Sequence, residues 1–191
     1  MTVAKLCIWN LVTLDGFFEG EEKWDLEFHG RAWGPELAAL SKQFGETTEL
    51  LVFGRITYEG MKAYWTTTDE DDEVKAFMNG LPKLVASHTI TTSDWNNTTV
   101  TADIIGDIRR LKQTATKPIR IFGSSELCDS LLKAGLVDEI MLCVVPVLLG
   151  RGTPFFKPGR DKTALKLATS TTTAGGAAIL TYEVENGSRT R

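Results

Sequence analysis

The sequence predicts an α/β domain: a central, mostly parallel β-sheet flanked by helices, with an antiparallel hairpin at its C-terminal edge. Two patterns carry that expectation. Short apolar, β-branched runs alternate with helical stretches over most of the chain, which is the signature of a parallel sheet with crossover helices. The last two strand-like runs then follow one another directly across Ala174-Gly175-Gly176, a hairpin signal that adds an antiparallel edge. At 191 residues the chain is sized for one such domain.

The elements follow in order. Lys5 to Thr13 is rich in apolar and β-branched residues and reads as a strand ended by an Asp15-Gly16 turn. Residues 19 to 34 are irregular, charged and aromatic. Pro35 fits a first helical position, Glu36 to Phe44 continues the helix, and Gly45 is expected to stop it. Glu49 to Phe53 is a short buried strand broken by Gly54, and Arg55 to Tyr64 reads as a helix. The acidic run Asp69 to Asp72 opens a further helix to about Asn79, because negative charge suits the positive end of the helix dipole. A strand follows at Lys83 to Ala86. Asp103 to Thr114 carries Ile104, Ile105, Ile108 and Leu111 on one stripe and is an amphipathic helix. Ile119 to Phe122 is a strand. Ser124 or Ser125 is expected to cap a helix bearing Leu127, Leu131 and Leu132, closed by Gly135. Glu139 to Val145, Leu165 to Thr173 and Ala177 to Glu185 are the remaining strands.

Composition narrows the function classes. The net charge of −4 argues against a nucleic-acid partner, which calls for a cationic excess or stripe. No apolar run is long enough to span a bilayer, and the first twenty residues lack a basic segment followed by an apolar one, so a cytoplasmic protein without membrane contact is expected. Three scattered cysteines (Cys7, Cys128, Cys143) and two histidines (His29, His88) point away from a disulfide framework or a metal centre. There is no GxGxxG in a βαβ unit, no GxxxxGK[ST] and no GxSxG, which removes the Rossmann, P-loop and hydrolase-elbow readings.

Three strand ends carry small or polar residues just before a helix or turn. At Phe53-Gly54-Arg55-Ile56-Thr57, glycine allows close backbone approach, the helix start attracts a phosphate, and Arg55 and Thr57 add a charge and a hydroxyl; a plain strand-to-helix turn explains the same residues. Ala86-Ser87-His88-Thr89 and Phe122-Gly123-Ser124-Ser125 repeat the pattern, with turn formation and helix capping as the alternatives. All three would lie at the C-terminal edge of a parallel sheet, where open α/β sheets bind ligands. Trp24 and Trp33, in the irregular segment, are candidates to stack on a flat substrate, whereas Trp9, inside a strand, is assigned to the core.

The ordered series Thr13-Leu14-Asp15-Gly16-Phe17, Leu51-Val52-Phe53-Gly54-Arg55-Ile56-Thr57-Tyr58-Glu59, Leu81-Pro82-Lys83-Leu84-Val85-Ala86-Ser87, Ile121-Phe122-Gly123-Ser124, Gly135-Leu136-Val137-Asp138-Glu139 and Pro146-Val147-Leu148-Leu149-Gly150-Arg151-Gly152 resembles the dihydrofolate reductase-like family. Within that family it is most similar to the branch of the C-terminal reductase domain of the bifunctional riboflavin enzyme. The resemblance runs from about residue 5 to about residue 184 and implies the same α/β fold, with NADPH lying across the strand ends. It places Gly54, Arg55 and Thr57 at the adenosine-side phosphates, and Ser87, His88 and Thr89 near the 2′-phosphate and adenine. It places Phe122, Gly123, Ser124, Ser125 and Leu127 over the pyrophosphate, and Leu11, Asp15, Gly16 and Phe18 near the nicotinamide.

The sequence also departs from the family pattern. Phe17 stands where a lysine usually follows Asp-Gly, and no Asp-Asp-Pro run follows Thr57, so the basic determinants for a ribose-phosphate substrate are missing. Glu36 is the candidate substrate carboxylate and proton donor, with Asp15 second; a first-turn glutamate serving its own helix is the alternative for Glu36. The reading that follows is an NADPH-dependent reductase of a small heterocyclic or carbonyl substrate, working as a homodimer. The alternative is a non-catalytic dinucleotide-binding or sensing protein of the same fold.

Overall fold

The computed structural model of the chain describes residues 3–69, 72–159 and 161–185. In chain order the elements are β1 (Leu6–Thr13), β2 (Phe17–Glu19), a 3-10 helix (Glu27–Arg31), α1 (Pro35–Thr47), β3 (Leu50–Gly54), α2 (Arg55–Thr67), α3 (Asp72–Gly80), β4 (Lys83–Ala86) and β5 (Thr98–Thr101). They continue as α4 (Ile104–Thr114), β6 (Ile119–Phe122), α5 (Ser125–Lys133), β7 (Glu139–Val145), β8 (Thr153–Pro154), β9 (Leu165–Thr172) and β10 (Ala178–Val184). Eight strands form one sheet in the order β5-β4-β3-β6-β1-β7-β10-β9. Every pairing from β5 across to β7 is parallel. Those of β10 with β7 and with β9 are antiparallel, as the hairpin signal predicts.

β1 lies inside the sheet and is covered on both faces, which is why its sequence reads as an apolar run. Leu6, Ile8 and Val12 join Ile108 of α4 and Leu127 and Leu131 of α5 in one core. Leu11 joins Phe28 and Leu37 of α1 on the other side. A third cluster fills the space under α1, α2 and α3 with Phe44, Phe53, Tyr58, Val74, Met78 and Phe122. Helices therefore cover both faces, α4 and α5 on one and α1 to α3 on the other. Each fully buried Leu, Ile or Phe adds about 1.5–3 kcal/mol, so these layers hold the strand ends in fixed positions.

The structure departs from expectation at several points. Gly45 does not stop α1, which runs on to Thr47; the glycine instead lets Phe77 of α3 approach, since a Cβ there would lie 3.1 Å from the Phe77 Cβ. α2 likewise passes Tyr64 and ends at Thr67. The Thr-rich strand β5 and the short pair β2–β8 were not expected, because β5 is a half-exposed edge and β2 and β8 span only three and two residues. The acidic run expected to open α3 falls partly on residues 70 and 71, outside the described residues.

Candidate functional site

The last residues of four neighbouring parallel strands, Gly54 of β3, Ala86 of β4, Thr101 of β5 and Phe122 of β6, all line one cavity of about 680 Å³. It occupies the C-terminal edge of the sheet, where the topology of open α/β sheets places ligands.

The helices that follow two of these strands begin at the cavity wall. α2 starts directly after Gly54, with Arg55, Ile56 and Thr57 on the wall, and α5 starts after Ser124, with Ser125, Glu126 and Leu127 on it. Ser124 stands at the N-cap position of α5 yet makes no capping bond, contrary to expectation. Its hydroxyl accepts from the Gly54 N–H at 2.8 Å and donates to Thr57 Oγ1 at 2.7 Å. One side chain thus ties the end of β3, the first turn of α2 and the entry to α5 together. In α5 the first intrahelical bond runs from Cys128 N–H to Ser124 O, so the N–H groups of Ser125, Glu126 and Leu127 have no intrahelical partner and no cap. Gly123 and Ser124 both adopt left-handed backbone (φ +62° and +61°), which turns the chain sharply from β6 into α5. Two successive left-handed residues feeding a helix form a concave array of N–H groups suited to an anion.

Arg55 is held by both carboxylate oxygens of Glu59, at 2.9 and 3.0 Å, and Glu126 by Lys157 at 2.5 Å. Ser87 turns the chain after β4, its hydroxyl accepting the N–H groups of Thr89 and Ile90, and exposed His88 sits on the rim. Trp24 lines the cavity beside α2. Its backbone is left-handed (φ +68°), its N–H donates to Glu19 Oε1 at 2.6 Å, and its indole lies so close to Gly60 of α2 that no side chain would fit there.

Of the residues singled out in the sequence, the structure brings Leu11, Phe18, Gly54, Arg55, Thr57, Ser87, His88, Phe122, Gly123, Ser124, Ser125 and Leu127 to the wall of this cavity, with Trp24 and Trp33. It does not bring Asp15, Gly16, Thr89 or Glu36 there. Asp15 is occupied elsewhere: its carboxylate accepts from Thr13 Oγ1 at 2.6 Å, Gly150 N–H at 2.7 Å and Leu149 N–H at 3.2 Å. Desolvation raises its pKa, but these hydrogen bonds, that from Thr13 foremost, outweigh it and lower the carboxyl below its ordinary range, the wrong direction for a proton donor. Gly16 completes the same turn (φ +86°), and Thr89 is exposed beyond the rim. The Glu36 carboxylate accepts the Ala174 N–H at 3.0 Å and so clamps the first turn of α1 to the turn of the C-terminal hairpin.

The sequence missed a second part of the cavity. Trp9, assigned to the core, lines it, packed edge-to-face on Phe44 at 5.3 Å. Asn10, His29 and Trp65 line it as well, and the Asn10 Nδ2, His29 Nε2 and Trp65 Nε1 atoms are buried without hydrogen-bond partners. A period-two reading of β1 could have flagged Asn10, a polar residue on the face of Ile8 and Val12. Nothing local marks His29.

His29 packs edge-to-face on Phe28 at 4.7 Å, and burial pushes its pKa down to about 4, so it is neutral at neutral pH. The unfolded chain binds this proton near pH 6.5 and the folded chain only near pH 4. The unfolded state therefore holds more protons in that window, and stability falls as pH drops through it. The shift corresponds to about 3 kcal/mol. His29→Gln is expected to remove this share of the acid sensitivity, read as a smaller loss of unfolding free energy between neutral pH and pH 4 in denaturant titrations.

Comparison with known proteins fits this geometry. The chain belongs to the RibD C-terminal domain family, whose profile matches residues 4–179. It is 26% identical over 174 residues to YyaP of Bacillus subtilis, an uncharacterised protein, covering 90% of each chain. Its fold is shared with the bifunctional diaminohydroxyphosphoribosylaminopyrimidine deaminase/5-amino-6-(5-phosphoribosylamino)uracil reductase of Thermotoga maritima. That superposition has a TM-score of 0.66 at 11% identity, with 95% of this chain and 57% of that one covered. The fold is also that of the dihydrofolate reductase of Enterococcus faecalis, solved with NADP(H): TM-score 0.59, 16% identity, 94% and 96% covered. Among the described residues no helix is long and apolar enough to cross a membrane.

Proposed function

We propose that this chain is an NADPH-dependent reductase that passes a hydride to a small heterocyclic or carbonyl substrate. The observation that carries this reading is the convergence of two uncapped helix N-termini, α2 and α5, on one cavity at the strand ends. Gly123 leaves the space between them open, since any Cβ there would press on Thr57. A dinucleotide needs such a cradle for its pyrophosphate and a second anion site for its 2′-phosphate. In this reading Gly123, Ser125 and Leu127 hold the pyrophosphate through backbone N–H groups, with Ser124 fixing their geometry and Phe122 beside it. Gly54, Arg55 and Thr57 hold the adenosine-side phosphate, Ser87 and His88 face the 2′-phosphate, and Leu11 and Phe18 flank the nicotinamide. When bound, the cofactor supplies the hydride, and the protein supplies orientation and exclusion of water.

Neither Asp15 nor Glu36 reaches the cavity, so the single proton of the reduction comes from solvent. Glu36→Gln is therefore expected to change turnover by less than about twofold, whereas a catalytic acid contributes about 10²–10⁴-fold; steady-state rates of the two proteins decide it. His88→Ala is expected to weaken NADPH by about threefold to tenfold and NADH by less, because an exposed imidazole at the rim adds one modest hydrogen bond to the 2′-phosphate. The reading is tested by incubating the protein with NADPH and candidate pterins, pyrimidines and aromatic ketones and following loss of the reduced-nicotinamide absorbance. Loss that requires both protein and substrate supports it. NADPH bound but never consumed would favour a binding or sensing protein. That alternative draws on one observation: the acidic side chains of the wall, Glu19 and Glu126, are engaged with Trp24 and Lys157.

In the same reading the protein is a homodimer. β9 is an edge strand whose eight residues, Leu165 and Leu167 among them, are all exposed, a surface that invites strand pairing with a second copy. Sedimentation at micromolar concentration reports the mass directly.

A further inference from the structure

Among the described residues, the acidic and basic side chains on the cavity wall are Glu19, Arg55, Glu126 and Lys157, besides the histidines. Glu59 holds Arg55 with both carboxylate oxygens, and Glu19 accepts the Trp24 N–H. The remaining two meet each other: Lys157 Nζ lies 2.5 Å from Glu126 Oε1. That ion pair joins two separate pieces of the wall. Glu126 belongs to the first turn of α5, between Ser125 and Leu127, where the N–H groups have no intrahelical partner. Lys157 comes from the loop after β8, which is anchored two residues earlier. There Phe155 is 2% exposed, its N–H donates to Gly16 O at 2.9 Å, and its ring packs edge-to-face on Phe18 at 6.0 Å. The two ends of the pair differ in their surroundings: the Glu126 side chain is 83% exposed and the Lys157 side chain 25%. The carboxylate can therefore turn into water at little cost, while the ammonium stays at the wall.

Resting on the reductase reading, we propose that Lys157 is a ligand of the dinucleotide pyrophosphate, and that Glu126 is the counter-ion it exchanges for that pyrophosphate. A pyrophosphate over the first turn of α5 brings negative charge beside Glu126 and within reach of the Lys157 ammonium. Like charges repel, so the carboxylate gives up the ion pair and turns into water, and a phosphate oxygen takes its place on the lysine. The exchange starts from a weak bond, because an exposed ion pair contributes little. It ends in a charge-assisted hydrogen bond that the cavity wall partly shields from water. Glu126 also tempers the positive end of α5, so its departure uncovers the helix N–H groups and the lysine together. The pyrophosphate is common to NADPH and NADH. Lys157 therefore raises affinity for both alike and leaves the choice between them to the residues at the 2′-phosphate.

Calorimetric titration of NADPH and NADH into the full chain and two variants tests this. Lys157→Met is expected to weaken both nucleotides by the same factor, about tenfold. Glu126→Gln is expected to tighten both by about threefold, because it frees the lysine and removes the neighbouring negative charge. The opposite signs are the signature of exchange. A pair that merely fastened the loop after β8 to α5 would be broken by either substitution, and both variants would then shift affinity in the same direction. That result, or a Lys157→Met protein that binds as tightly as the unaltered chain, would overturn the proposal. So would a loss confined to NADPH, which would put Lys157 at the 2′-phosphate instead. In each of these three outcomes the unaltered chain still binds NADPH, and the reductase reading stands. An unaltered chain that binds neither nucleotide removes that reading and this proposal with it.

Discussion

Gly123→Val is expected to abolish NADPH binding without unfolding the protein. Gly123 sits at φ +62°, where an L side chain costs about 1–2 kcal/mol. Its Cβ would come 2.9 Å from Thr57 Cγ2 and 3.3 Å from Oγ1, tighter than these atoms tolerate. The chain has two ways to relieve the contact, and both damage the site. Moving Thr57 breaks its hydrogen bond with Ser124 and with it the tie to the Gly54 N–H. Moving the Gly123-Ser124 turn re-aims the N–H groups at the start of α5. Either way the cradle between the two helix N-termini is lost. The expected loss of affinity is about 100-fold or more, near 3 kcal/mol. The thermal midpoint should fall only by the few degrees that about 1–2 kcal/mol produces in a chain of this size. Calorimetric titration with NADPH, paired with a thermal scan, separates the two effects. A variant that kept its affinity would mean that the ligand lies elsewhere.

Asp138→Ala is expected to give the largest loss of stability. Asp138 Oδ2 accepts the Leu6 N–H at 2.7 Å and the Lys112 ammonium at 2.5 Å. Lys112 is only 8% exposed, and its ammonium also donates to the Leu136 carbonyl at 2.8 Å. Removing the carboxylate strands a buried ammonium and leaves the first N–H of β1 unmatched. Breaking such a pair costs about 3–5 kcal/mol when buried. Because Asp138 keeps part of its side chain in water, about 3 kcal/mol is expected, or about 6–12 °C in Tm. The double variant Lys112→Met, Asp138→Leu should recover much of that loss, since it removes both charges. Thermal unfolding of the three proteins checks the cycle.

Much of the fold was legible because burial and punctuation coincide in the sequence. The runs at β1, β3, β6 and β7 are apolar because helices cover both faces, and Pro35, Gly54 and Gly135 mark real boundaries. What escaped had no such mark. β5 is a threonine-rich edge, and β2 and β8 exist only because the loops after β1 and β7 are brought together. Gly45 reads as a helix stop from its own chemistry and is a packing notch in context.

The family motifs proved to be of two kinds. Gly54 to Thr57 and Phe122 to Ser124 line the cavity. Asp15 with Leu149-Gly150, and Asp138, are staples that hold loops and strand ends, a distinction that sequence spacing does not contain. The same limit hid further lining residues of the cavity. Met61 and Trp65, or Val74, Phe77 and Met78, are spaced along helices as core residues are. Val74 and Met78 are indeed buried in the core under these helices, and Met61, Trp65 and Phe77, packed against that core and only partly buried, also line the cavity.

The central claim is that this cavity binds NADPH, and direct titration tests it most simply. Trp9, Trp24, Trp33 and Trp65 all line the cavity, so a ligand there quenches indole fluorescence. The account predicts saturable quenching by NADPH at one site per chain, NADH weaker by about tenfold, and no quenching in Gly123→Val. An absence of quenching by either nucleotide, or equal quenching in Gly123→Val, would contradict it.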